Sequence, residues 1–81
     1  MTAAPQEMSP STEAQTRARW IKSQPSHRAA VRDLLHAGEE LHHAQPGIER
    51  QFAEARWDRA RAELQRVESL LSAGWAAQRA F

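Results

Sequence analysis

Histidine and glutamate side chains in the middle of the chain have the spacing of a metal site. In a helix, His36, Glu40 and His43 fall within an arc of about 60°, so two imidazoles and a carboxylate could surround one ion. Two overlapping Glu-x-x-His strings, which end at His42 and His43, also match the unit of di-iron carboxylate bundles. Such bundles need histidine on further helices, and no histidine follows His43. We therefore favour a solvated polar face that binds neither a metal nor a cofactor.

A basic segment lies before these histidines. Between residues 14 and 32 it contains five basic side chains, one tryptophan and no acid: Arg17, Arg19, Trp20, Lys22, Arg28 and Arg32. Arginine pairs with phosphate oxygens and an indole stacks on exposed bases, so this segment could bind nucleic acid. However, residues 33–54 carry five acids against one arginine, and the net charge is only +1. We expect internal pairing, with a small nucleic-acid-binding regulator as the alternative function.

The sequence contains no arrangement typical of catalysis. Its three glycines stand apart from one another, which excludes a glycine-rich phosphate loop. It has no cysteine for thiol chemistry or for a cysteine-based metal site. A chain of 81 residues is also small for a cleft that excludes water. We predict a protein that is not an enzyme, with no catalytic residues and no small-molecule substrate.

Hydropathy and cysteine content bear on location. Residues 1–10 have neither the basic start nor the long apolar stretch of a secretory signal. No window approaches 18 uninterrupted apolar residues, so we expect no membrane span and no membrane partner. The absence of cysteine fits a reducing compartment. We predict a cytoplasmic protein.

Proline and glycine divide the chain into segments. Pro25 and the pair Pro46-Gly47 interrupt the helical periodicity, because proline lacks an amide donor and disfavours helix in the residue before it. The sequence predicts a flexible tail over residues 1–10, followed by a single all-α domain over residues 11–81. Its helices are expected at about 11–22, 26–44 and 47–77.

The last segment has the clearest periodicity. Its small and apolar residues recur at alternating steps of four and three, which is typical of a coiled-coil seam: Ala53, Trp57, Ala60, Leu64, Val67, Leu71 and Gly74. A helix over 48–73 is about 39 Å long and one over 27–43 about 25 Å, so the shorter cannot cover the longer. We predict an antiparallel helical hairpin with a short N-terminal helix, whose overhang is covered by that helix and by a second chain. The protein would thus oligomerise into a helix bundle, most simply as a dimer.

The composition also favours association. Sixteen residues are alanine, while Leu, Ile, Val and Phe together make up only about 15% of the chain. The three tryptophans and two phenylalanines exceed what a two-helix core needs, and tryptophan is enriched at the centres of protein interfaces. We predict a non-catalytic protein–protein interaction module that acts as an adaptor, regulator or small chaperone. Its expected interface residues are Trp57, Leu64, Val67, Leu71, Trp75 and Phe81.

Residues 30–71 resemble a family of secretion proteins. A helix ends in the pair Glu40-Leu41, a proline turn follows at Pro46, and Phe52 lies near the start of a long alanine-spaced helix. This arrangement looks like the small hairpin co-chaperones of type III secretion needles. The resemblance implies a hairpin whose apolar face clamps a secretion subunit together with a second chaperone.

Overall fold

A computed structural model describes the backbone of residues 4–80 and the side chains of residues 12–80. Over this range the regular structure consists of three helices, α1 (Ala4–Ser23), α2 (Pro25–His43) and α3 (Ile48–Arg79). The predicted all-α class is confirmed. α1 begins at Ala4, inside the stretch predicted as a flexible tail, whereas the other bounds lie within two residues of those expected. Residues 1–3 of that tail, and Phe81, lie outside the described residues.

Pro25 determines the break between α1 and α2. Because proline has no N–H, the carbonyl of Ile21 lacks its usual helical donor, and the amide of Gln24 donates to it instead at 3.1 Å. The carbonyl of Trp20 accepts hydrogen bonds from Ser23 Oγ at 2.7 Å and from Gln24 Nε2 at 3.0 Å. Both carbonyls next to the break are therefore satisfied, and a new helix begins at Pro25.

Gly47 determines the reversal between α2 and α3. Its backbone has φ 103° and ψ −141°, a region that side chains with a Cβ rarely adopt. The amide of Gln51 donates to the Gly47 carbonyl at 3.0 Å, which is the first helical hydrogen bond of α3. The turn lies where the Pro46-Gly47 pair predicted it.

α1 and α2 follow one another along α3. Successive residues of α1 and α2 contact residues of α3 with ever lower numbers. Both helices therefore run antiparallel to α3. The contacts are Glu13–Arg79, Trp20–Trp75, His27–Glu68, Gly38–Trp57 and Glu40–Arg56. At 1.5 Å per residue the 32 residues of α3 span about 48 Å. The part of α3 that α2 cannot reach is therefore covered by α1 of the same chain.

The core is a thin row of small side chains. The buried hydrophobic residues are Ala30, Ala37, Ala53 and Val67, and no large side chain within residues 12–80 is fully buried. The chain measures 58 × 33 × 15 Å, with a radius of gyration of 17.8 Å. A compact chain of this length would have about 12 Å. The molecule is therefore elongated and thin.

Within the described part of the chain, no helix combines the length and the apolar character that a bilayer span requires.

Candidate protein interface

The seam of α3 faces the other helices of its own chain. Val67 is buried at 8% exposure, and Leu64 and Leu71 are half-buried. The Trp57 ring lies against Gly38 of α2, with its Nε1 3.7 Å from the place where a Cβ on that glycine would stand. Four of the predicted interface residues thus contribute to the intramolecular contact, and three of them keep part of their surface open to solvent.

Tryptophan rings join α1 to the far end of α3. Trp20 and Trp75 are both half-buried, with ring centroids 5.5 Å apart and planes tilted by 48°. The guanidinium of Arg79 lies 5.7 Å from the Trp75 ring, and Arg79 also pairs with Glu13 at 3.2 Å. Part of the Trp20 surface, which the sequence offered for base stacking, is therefore occupied by Trp75. Phe81, the last predicted interface residue, lies outside the described residues.

His27 is the buried polar residue within residues 12–80, at 7% exposure. Its Nε2 lies 2.9 Å from Glu68 Oε2, so the pair links the start of α2 to α3. This contact could not be predicted from local sequence, because the two residues lie 41 positions apart and neither belongs to a local motif. Only the antiparallel register of the two helices could have revealed it.

The basic segment remains on the surface. Its five basic side chains are exposed, and among residues 12–80 none of them forms an ion pair with a carboxylate. The expected pairing with the acids of residues 33–54 is therefore not found there. Glu40 and Glu54 of that acidic stretch pair instead with Arg56 and Arg50 of α3, which lie beside them.

The first groove between α2 and α3 has walls of opposite charge. Arg56 Nε donates a hydrogen bond to Glu40 Oε1 across it at 2.8 Å. Asp33 and Arg59 form no ion pair among the described residues. We call this first groove between α2 and α3 the charge-split groove. Its lining is Asp33, His36, Ala37 and Glu40 from α2, and Arg56, Arg59 and Ala60 from α3.

The candidate metal ligands do not form a site in this structure. His36 and Glu40 line the charge-split groove, but the Glu40 carboxylate already accepts a hydrogen bond from Arg56. The rings of His42 and His43 lie 5.0 Å apart in an edge-on contact. Within the described part of the chain, no three histidine, aspartate or glutamate residues are brought together as a metal would require.

The second groove lies on the opposite flank of the α2–α3 pair and is mainly apolar. It is lined by Leu34, Leu35, Gly38, Glu39, His42 and Trp57. The other large apolar side chains that the fold leaves open belong to α3. The exposed set is Leu35 at 65%, Ile48 at 70%, Phe52 at 61% and Leu70 at 59%.

Glu63 and Arg66 form a surface pair within α3. Arg66 donates two hydrogen bonds to the Glu63 carboxylate, at 3.0 and 2.6 Å, which lowers the pKa of Glu63 and raises that of Arg66. Because the pKa of Glu63 lies below its ordinary value, the pair adds stability at neutral pH, and this is lost as the pH falls through the lowered pKa. An exposed pair one turn apart stabilises the helix only locally.

Comparison with known proteins gives no match. No protein-family model matches the chain, and neither a curated protein nor a solved structure matches it. The resemblance to secretion-needle co-chaperones therefore stays a prediction from residues 30–71.

Proposed function

We propose that this protein is a non-catalytic helical interaction module that acts as an adaptor, regulator or small chaperone in the cytoplasm. It folds as an antiparallel helical hairpin with an N-terminal helix continuing along the long helix, and it associates with further helices into a bundle. Those helices belong to a second copy of the chain or to another protein.

The observation that carries this proposal is the thinness of the folded chain. The chain exposes 6253 Å² of surface, whereas a compact monomer of 9.2 kDa exposes roughly 4,900 Å². The four buried hydrophobic residues are three alanines and one valine, so the large apolar side chains remain partly in water. Further helices would cover them.

Association would be driven by completing the burial of the seam and of its flanks. A large apolar side chain that is fully removed from water contributes roughly 1.5–3 kcal/mol. Half-buried residues such as Trp57 and Leu64 would gain part of this, and Leu35 and Phe52 would gain most of it. The charged walls of the charge-split groove would then select the partner.

A substitution in the seam tests the proposal. Leu64→Asp places a charge at a half-buried seam position, so we expect both lower helicity by circular dichroism and lower oligomeric mass in sedimentation. Gln65→Asp is the matched control, since it changes the charge by the same amount at the next, exposed position. An unchanged sedimentation profile for Leu64→Asp would contradict association through the seam.

A second candidate function is supported by the basic segment. Its five basic side chains are exposed and have no carboxylate partner among residues 12–80, which suits contact with the phosphates of nucleic acid. The expected result is an affinity for DNA or RNA that falls steeply with salt and is weakened in the double variant Arg17→Ala with Arg19→Ala. Arg50→Ala with Arg66→Ala removes the same charge from exposed positions of α3 that do not line the charge-split groove, and serves as the control. If micromolar protein shifts no nucleic acid at about 50 mM salt, this function is excluded.

A further inference from the structure

We propose that the charge-split groove is a self-association face occupied by a second copy of this chain. In this antiparallel four-helix dimer, α2 of each copy lies on α3 of the other. The inference rests on the proposed interaction function and names its partner, its face and its orientation.

The surface area of the chain is consistent with such a dimer. A standard protein interface buries about 800 Å² on each partner. The 6253 Å² that this chain exposes exceeds the surface of a compact monomer of its mass by about 1,300 Å². One copy therefore has more surface to bury than a standard interface requires. The long face of a molecule measuring 58 × 33 × 15 Å can supply it.

The groove floor and its α3 wall suit a helix as the occupant. The floor is formed by Ala37, which is buried, and Ala60, which is half-buried, and such small side chains let another helix approach closely. Phe52 and Leu70 lie 18 residues apart, about five full turns of α3, and therefore share one side of it. That side lies within about 20° of Arg59 around the helix axis. A helix of the second copy that lies on this side of α3 would thus cover both exposed side chains.

The charges determine how two copies face each other. Acids lie on the α2 wall, at Asp33 and Glu40, and arginines lie on the α3 wall, at Arg56 and Arg59. A two-fold axis across the helices would place α2 on α2 and α3 on α3, which opposes like charges. A two-fold axis along the helices places the acidic wall of each copy on the arginine wall of the other. The like-charge arrangement is strongly disfavoured, so the second one is selected.

Asp33 and Arg59 are the best residues to test, because neither forms an ion pair within the described part of the chain. Reversing either charge leaves the ion pairs of the folded monomer intact and alters the dimer contact twice, once for each copy. We expect Asp33→Lys and Arg59→Glu each to weaken dimerisation at least about tenfold in sedimentation equilibrium. An equimolar mixture of the two variants should regain wild-type affinity to within about threefold, as a heterodimer.

Control variants separate the groove from general charge effects. Asp58→Lys and Arg32→Glu make the same charge changes at exposed positions that do not line the groove, and they should dimerise like the wild type. A dimer that is insensitive to Asp33→Lys and Arg59→Glu but is lost in Leu64→Asp overturns the groove inference and leaves the interaction function standing. A wild-type chain that stays monomeric at all concentrations overturns the groove inference and self-association together.

The orientation can be tested because the chain has no cysteine. His36 and Arg59 line opposite walls of the groove at the same level, since pairs in contact along the helices have residue numbers that add to nearly the same value. Under oxidation, a mixture of His36→Cys and Arg59→Cys should give mainly mixed disulfide dimers. A product formed mainly by His36→Cys alone would place α2 on α2 and overturn the proposed orientation.

Discussion

The glycines differ in what a side chain would meet at each position. A Cβ on Gly38 would stand 3.7 Å from Trp57 Nε1, which is an ordinary contact, and alanine is favoured over glycine inside a helix by about 1 kcal/mol. We expect Gly38→Ala to raise the free energy of unfolding by about 0.5–1 kcal/mol in urea denaturation. Gly47→Ala should lower it by about 1–3 kcal/mol, because of its positive φ. A destabilised Gly38→Ala would mean that Trp57 lies closer to α2 than described.

The pair His27–Glu68 makes a second prediction for single residues. The side chain of His27 is 9% exposed and that of Glu68 is 48% exposed. Removing Glu68 therefore leaves a buried imidazole nitrogen of His27 without its hydrogen-bond partner. We expect Glu68→Ala to lower the unfolding free energy by about 1–3 kcal/mol in urea denaturation. Glu63→Ala removes the exposed pair with Arg66 and should lower it much less. Equal effects of the two variants would contradict a structural role for His27.

The helices themselves could largely be predicted from the sequence. Proline and glycine act on the backbone locally, so the break at Pro25 and the turn at Gly47 were foreseen. The seam was also found, because a period of seven residues depends only on spacing. The N-terminal helix was also expected on the part of α3 that α2 cannot reach, where Trp20 contacts Trp75. Periodicity does not give the register between helices, so individual pairs such as His27–Glu68 could not be predicted.

The attachment of α1 depends on the contact between Trp20 and Trp75. Both rings are half-buried, so we expect each single alanine substitution to lower the unfolding free energy by about 1–3 kcal/mol, less than for a full core position. Aromatic pairs add about 0.5–1.5 kcal/mol beyond their buried area. The loss of unfolding free energy in the double variant should therefore be smaller, by about this amount, than the sum of the losses in the two single variants.

Hydrogen exchange distinguishes the loss of α1 from general unfolding. Trp20→Ala should remove amide protection in α1 while α2 and α3 keep most of theirs, because those two helices contact each other directly. Trp57→Ala is the control. The Trp57 ring lies against Gly38 of α2, so its loss should lower amide protection in α2 and α3. Additive substitutions at Trp20 and Trp75, with α1 protection unchanged, would contradict the described anchoring of α1.

The whole molecule owes its shape to the size of its core residues. Alanine at Ala30, Ala37 and Ala53 lets the helices approach closely, but it leaves too little apolar surface to gather three helices around one centre. α1 therefore extends the α2–α3 pair instead of covering it. The scarcity of large apolar side chains was visible in the sequence, because sixteen residues are alanine. The charge-split groove could not be predicted from the sequence, because its acidic and basic walls face each other only when α2 and α3 are packed in the right register.

Small-angle scattering can test both the shape and the dimer. The Asp33→Lys variant, which we expect to be monomeric, should give a radius of gyration near 17.8 Å, well above the about 12 Å of a compact chain. In the wild type, the scattering mass should double with concentration while the longest dimension stays near 58 Å, because the second copy lies alongside the first. Packed helices lie 8–10 Å apart, so the radius of gyration should rise by less than about 1 Å. A longest dimension that nearly doubles would indicate end-to-end association, and a monomer near 12 Å would contradict the alignment of α1 along α3.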